Sequence, residues 1–142
     1  MAFTTVTNNA WDGTQGQLRF RALFDGAAQD QTDLVLVDIS TLGGVGVNTA
    51  PNSVKIQRLQ AVVNGAFQAT LEYDATTDQV IDAFSGQTSI SNPYIVDYTG
   101  GPNRGVAPNA AAGGFVGDIL LTTVGAAASD ELNLVIDYRR KT

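Results

Sequence analysis

Along most of the chain apolar and polar residues alternate one for one, and nowhere do they keep helical spacing over a run long enough for a stable helix. A period of two puts successive side chains on opposite faces, so each such run predicts a strand with one face in a core and the other in water. The pattern is plainest near the end. Leu132, Leu134, Ile136 and Tyr138 fall on one face and Glu131, Asn133, Asp137 and Arg139 on the other, with Val135 the exception. Before them Ile119, Leu121 and Thr123 alternate with Asp118, Leu120 and Thr122, and residues 125–130 are small or turn-forming, so residues 117–139 read as a β-hairpin.

The same reading applies upstream. Leu18, Phe20, Ala22 and Phe24 alternate with Arg19 and Arg21 in a strand ending at Asp25-Gly26. Residues 33–42 follow as a strand whose Leu-Val-Leu-Val centre suits burial on both faces. Over residues 54–63 the apolar phase shifts between Ile56 and Leu59, as a β-bulge near Arg58 would cause. Asn64-Gly65 then precedes Phe67, Ala69, Leu71 and Tyr73, and because Asn-Gly accepts the positive φ of a type I′ turn, it predicts a hairpin there. Residues 79–84 make a further short strand, and residues 88–98, broken by Asn92-Pro93, an edge strand or two short pieces. Residues 99–114 form the longest connection, and residues 1–16 read as an N-terminal arm ahead of a domain spanning 17–142. Roughly seven to nine short strands joined by Gly, Pro and Asn loops predict an all-β fold, a single antiparallel β-sandwich of jelly-roll-like form.

Composition narrows the chemistry. The 142 residues suffice for one domain burying about 68% of the surface its unfolded chain exposes. Eight Lys and Arg against fourteen Asp and Glu leave a net charge of -6, which argues against nucleic acid and anionic membrane surfaces as partners. With neither Cys nor His, disulfides, zinc fingers, thiol nucleophiles and Ser-His-Asp triads are excluded. The N-terminus lacks the basic and apolar regions of a signal peptide, and no apolar run approaches the roughly 20 residues that span a bilayer, so a soluble chain is expected.

The remaining candidates are few. Asp25, Asp30 and Asp33 have calcium-like spacing but lack the central Gly and closing Glu of an EF-hand loop, and read as turn carboxylates. Gly43-Gly44-Val45-Gly46 lacks the Gly-Lys-Ser/Thr ending of a phosphate loop. Glu72 and Glu131 are the only glutamates, each placed on an outward strand face or at a turn, so no catalytic pair, cofactor or metal is expected. Trp11 is placed to cap its own core or to anchor on a neighbour. Arg19 and Arg21 share an outward face, either as a contact patch or as two solvated charges. Tyr94, Val96 and Tyr98 share a face that suits edge packing or, with Trp11, a sugar-stacking platform. Arg104, beside Asn103, is the lone charge of the longest loop. Residues 1–16 and 99–114 are expected to become ordered on a partner, with Trp11 as apolar anchor and Arg104 as hydrogen-bond donor.

The closing stretch resembles a family of small structural proteins of tailed bacteriophages, abundant in marine and cyanobacterial phages and regarded as capsid decoration or cement proteins. The likeness rests on Gly117-Asp118-Ile119, Thr123-Val124-Gly125-Ala126-Ala127-Ala128 and Asp130. Two earlier strands extend it in the same order: residues 33–40, Asp-Leu-Val-Leu-Val-Asp-Ile-Ser, and Lys55-Ile56-Gln57-Arg58-Leu59. Where the family often carries aromatics, Leu132 and Ala61 or Val62 stand here. The resemblance implies a virion protein, assembled in the host cytoplasm, that binds the major capsid protein on the outer capsid surface, commonly as a homotrimer, and resists internal pressure. Its expected contact residues are Trp11, Arg19, Arg21, Asn103 and Arg104. A carbohydrate-binding β-sandwich of a phage tail or host-recognition appendage is the alternative.

Overall fold

The computed structural model describes residues 3–26, 29–43, 51, 53–86, 93–100 and 105–141. Nine strands lie among them: β1 (Thr4–Trp11), β2 (Gln15–Leu23), β3 (Leu34–Val37), β4 (Val54–Asn64), β5 (Gln68–Tyr73), β6 (Gln79–Ser85), β7 (Tyr94–Asp97), β8 (Ile119–Val124) and β9 (Glu131–Arg140). They form two antiparallel sheets, a five-stranded one in the order β1-β2-β9-β4-β7 and a four-stranded one in the order β3-β8-β5-β6. The chain is thus all-β, a sandwich of two antiparallel sheets.

The pairing has a simple rule. β2 pairs with β9, β3 with β8, β4 with β7 and β5 with β6, as if one long folded-back ribbon had been rolled into two layers. Rolling adds the contacts β4 with β9 and β5 with β8. Between β2 and β9 every connection except β5 to β6 therefore crosses from one sheet to the other.

Two predicted hairpins are corrected by this topology. Asn64-Gly65 does not turn β4 back on itself, because β4 and β5 lie in different sheets. A type I′ turn needs positive φ at both residues; Gly65 has φ +141°, while Asn64 stays extended and pairs with Glu131. Nor do β8 and β9 form a hairpin. Residues 125–130 carry the chain across the roughly 10 Å between layers, with positive φ at Gly125 and Ser129. Asp30 holds that crossing by accepting the N–H groups of Gly125 and Ala126, at 2.8 and 2.9 Å. Alternation shows that a strand has one inward face; it is silent on which sheet that strand joins.

Three further expectations change. The strand over residues 33–42 is only four residues long, and Val35 is 48% exposed, so β3 is an edge strand and not one buried on both faces. It ends because Asp38 caps a short 3₁₀ turn, Ile39–Thr41, through its Oδ1 and the Ser40 N–H. Most of residues 1–16, read as an arm, are β1 and the turn into β2. Asp12 Oδ1 accepts the N–H groups of Thr14 and Gln15 there, and Gly13 takes φ +94°. In the longest connection, the described residues 105–114 are tied to their own domain. Val106 bridges to Ile56, Asn109 exchanges hydrogen bonds with Gln79, and Gly113 O accepts the Thr76 N–H. The bulge predicted near Arg58 is present, as a register shift between Ile56 and Arg58.

The core lies between the sheets. Leu18, Phe20 and Ala22 from β2, Leu132, Leu134 and Ile136 from β9, and Leu59, Ala61 and Val63 from β4 face Ala69 and Leu71 from β5 and Ile119 and Leu121 from β8. Each large apolar side chain buried here contributes about 1.5–3 kcal/mol. Tyr73 brings a hydroxyl into this layer, satisfied by donating to Val106 O and accepting from the Ile56 N–H.

Candidate interaction surface

The cations gather on one face of the sandwich, where the acids Asp97, Glu131 and Asp137 also stand outward. Of the eight Lys and Arg, Arg19 and Arg21 on β2, Lys55 and Arg58 on β4 and Arg139 on β9 occupy outward positions of the five-stranded sheet, alternating with buried neighbours. Arg140 ends β9 with its guanidinium on Gly13 O, and Lys141 follows. No Lys or Arg stands on β3, β5, β6 or β8. That side carries acids instead. Asp33, Glu72 and Asp78 bring carboxylate oxygens within 4.8 Å of one another, the chemistry from which a hard-cation site is built. Burial first, then the charges of Asp78 and Asp33, push the Glu72 carboxyl above its usual range. Burial likewise raises Asp74 and Asp118, again with neighbouring acids adding to it.

Register sets Arg21 beside Val6 and Arg19 beside Asn8 across β1 and β2, and beside Asn133 and Val135 across β9. These six side chains line a shallow groove of about 350 Å³ on the outer face of the five-stranded sheet. Val6 is 63% exposed, so the groove is apolar between its basic walls. Arg21 Nε donates to Glu131 Oε1 at 2.6 Å. The Asn133 amide, and then Arg21, hold the Glu131 carboxyl below its usual range. Arg19 Nε donates to Gln17 Oε1, and Gln17 in turn to Asp137. A second concavity of about 510 Å³, lined by Trp11, Gln15, Gln17, Gln57 and Asp137 among others, continues the same sheet toward its end.

The sequence-predicted residues separate clearly. Arg19 and Arg21 are exposed and share the groove. Trp11 lies on the same sheet but is turned to its own chain. Its ring stacks on Tyr138 at 5.7 Å and 7°, and its Nε1 donates to Gly43 O at 2.8 Å. Gly16 makes room for the Tyr138 ring, since a Cβ there would lie 2.5 Å from ring carbon. Asn103 and Arg104 lie outside the described residues. Glu72 and Glu131 stand on outward positions of opposite sheets, so they are not an opposed catalytic pair.

Tyr94 and Tyr98 pack against the core, and both hydroxyls donate to Asp82 Oδ2 of β6. This closes the sandwich along one side, joining β7 of one sheet to β6 of the other, and the Phe84 ring stacks on Tyr94 at 5.5 Å. Asp82 was not singled out from sequence. The signal was its place in Val80-Ile81-Asp82-Ala83-Phe84, where it shares the inward phase of Phe84. Comparison with protein-family models, with characterised proteins and with solved structures finds no match.

Proposed function

We propose that this protein is a structural component of a bacteriophage virion that binds the outer capsid surface and stabilises it, meeting the major capsid protein with the outer face of its five-stranded sheet. What carries the reading is the concentration of outward Lys and Arg on that one face, around an apolar groove, in a molecule whose other face is acidic. An acidic protein whose cations gather on one face is steered to dock by that face. The order β2-β9-β4-β7 over β3-β8-β5-β6 is that of a rolled eight-stranded ribbon, and we infer a jelly roll, a form common in virion proteins. The likeness of residues 33–40, 55–59 and 117–137 to decoration proteins supplies the class of partner.

The carbohydrate-binding alternative needs exposed aromatic platforms. Trp11, Tyr94 and Tyr98 instead pack against the core with their polar atoms engaged, so it has less support.

Cosedimentation with capsids across a salt series is the direct test. Wild-type protein should pellet with capsids and release as salt rises. Arg19→Glu with Arg21→Glu should weaken occupancy at least about tenfold, as expected when steering charges at an interface are reversed. Its thermal midpoint should move little, because the one surface ion pair lost is worth about 0–1 kcal/mol. Protein that never pellets, or a double variant that pellets like wild type, would contradict the assignment.

A further inference from the structure

Four strands form the edges of the two sheets: β1 and β7 of the five-stranded sheet, β3 and β6 of the four-stranded one. Three carry a feature that limits further pairing. β3 and β7 are four residues long, and the ladders of β3 and β6 are interrupted by register shifts. β1 has no such feature. It is eight residues long, pairs with β2 without a break from Thr4 to Trp11, and contains neither a charged residue nor a proline. Residues 5–10 are all exposed. An edge of this kind presents a row of backbone N–H and C=O groups to an added strand, and folded proteins ordinarily blunt such edges with charge, proline or a bulge.

We propose that β1 pairs antiparallel with β1 of a second copy of this chain about a two-fold axis normal to the sheet, joining two five-stranded sheets into one of ten strands. That axis sets an edge strand antiparallel to its copy with both outward faces on the same side. Outward residues must then meet outward residues. In the register centred on Val6, the largest exposed apolar side chain of β1 meets the partner's Val6, and Thr5 meets the partner's Thr7.

The occupant follows from charge. β1 offers no ionic group by which a foreign strand could be selected, and for the same reason self-pairing brings no like charges together along the seam. The nearest, Arg21, would stand three strand spacings, roughly 14 Å, from the partner's Arg21, beyond a Debye length of about 8 Å. It also pairs with Glu131. The acidic sheets of the two copies lie side by side and not face to face. A single strand seam buries less than the roughly 800 Å² per partner of a standard interface, so the pair should dissociate on dilution. This association replaces the three-fold one that the phage resemblance implies, and it holds whether or not the capsid reading does.

Sedimentation equilibrium of the full chain, from micromolar to millimolar concentration, tests it. Wild type should move from monomer to dimer. Val6→Lys and Val6→Glu should each stay monomeric at least about tenfold further up the series, since like charges directly opposite across a seam oppose pairing, and an equimolar mixture of the two should regain the dimer mass. Val124→Lys alters a valine of closely similar exposure, 64%, on β8 of the other sheet, and should behave as wild type. A wild-type chain that remains monomeric or forms a trimer, a charged Val6 variant that keeps the dimer, or a mixture that fails to reassociate would each overturn the proposal.

Discussion

At the scale of single residues, the side chains that tie stability to alkaline pH are the tyrosines. All four are held above their ordinary pKa, burial being the leading cause in each, and at Tyr94 and Tyr98 the Asp82 carboxylate adds to it. A phenol that holds its proton more tightly when folded gives its full stabilisation below its unfolded value, about 10. That stabilisation is lost as pH rises beyond it. Urea midpoints should therefore be level as pH approaches 10 and fall above about pH 10, together with the appearance of phenolate absorbance. Tyr98→Phe should flatten that fall and cost about 1–2 kcal/mol at neutral pH, the hydrogen bond to a charged acceptor being lost. Midpoints unchanged well above that pH would show the phenols to be solvent-accessible. From sequence the tyrosines could be placed on apolar faces. Their acceptors could not, because Asp82, Asn9 and Val106 O reach them from distant segments.

At the scale of elements, the existence of most strands was legible, β1 excepted, and strand partnership was not. The inward positions of β2, β4, β5, β8 and β9 follow from alternation alone, and so does the bulge in β4. The assignment of β8 and β9 to one hairpin failed because a short run of small residues serves equally well for a turn within a sheet or a crossing between sheets. What fixes the crossing is Asp30, ninety-odd positions away, with Asp130 accepting the Ala127 N–H from within the loop. Backbone N–H groups of Ala126 and Gly125 outweigh burial and hold the Asp30 carboxyl below its usual range. Its contribution is accordingly present above about pH 4 and lost as pH falls through the folded value. Asp30→Ala should cost about 1 kcal/mol at neutral pH, a low figure for a charged acceptor because the site is exposed. The deficit should shrink in acid; a constant deficit across that range would mean that Asp30 acts by packing. The interaction surface was half legible: Arg19 and Arg21 emerge from the pattern of β2, whereas Val6 and Asn8 join them only because residues 4–11 pair as a strand.

At the scale of the whole molecule, the gathering of cations on one face could not be read from a net value of -6. It appears once the pairing rule gathers β2, β4 and β9 into one sheet. That rule also governs how the chain must fold. From β2 to β9 the most local pairing is β5 with β6, and each ladder outside it encloses a longer stretch of chain, until Gln15 meets Arg139 across 124 positions. Closing such loops costs entropy before the contacts repay it, and topologies dominated by distant pairing fold in milliseconds to seconds where local ones take microseconds. Apart from the local β1–β2 hairpin, assembly should therefore begin at the β5–β6 turn and proceed outward, with the central β9 last to seat. Stopped-flow refolding should give a slow main phase in which Leu71→Ala retards folding and Leu134→Ala chiefly hastens unfolding. The reverse pattern would place the nucleus at the chain ends. During synthesis β2 must wait, unpaired on one side, until residues 131–140 have left the ribosome, so one edge of the sandwich stays open through most of translation.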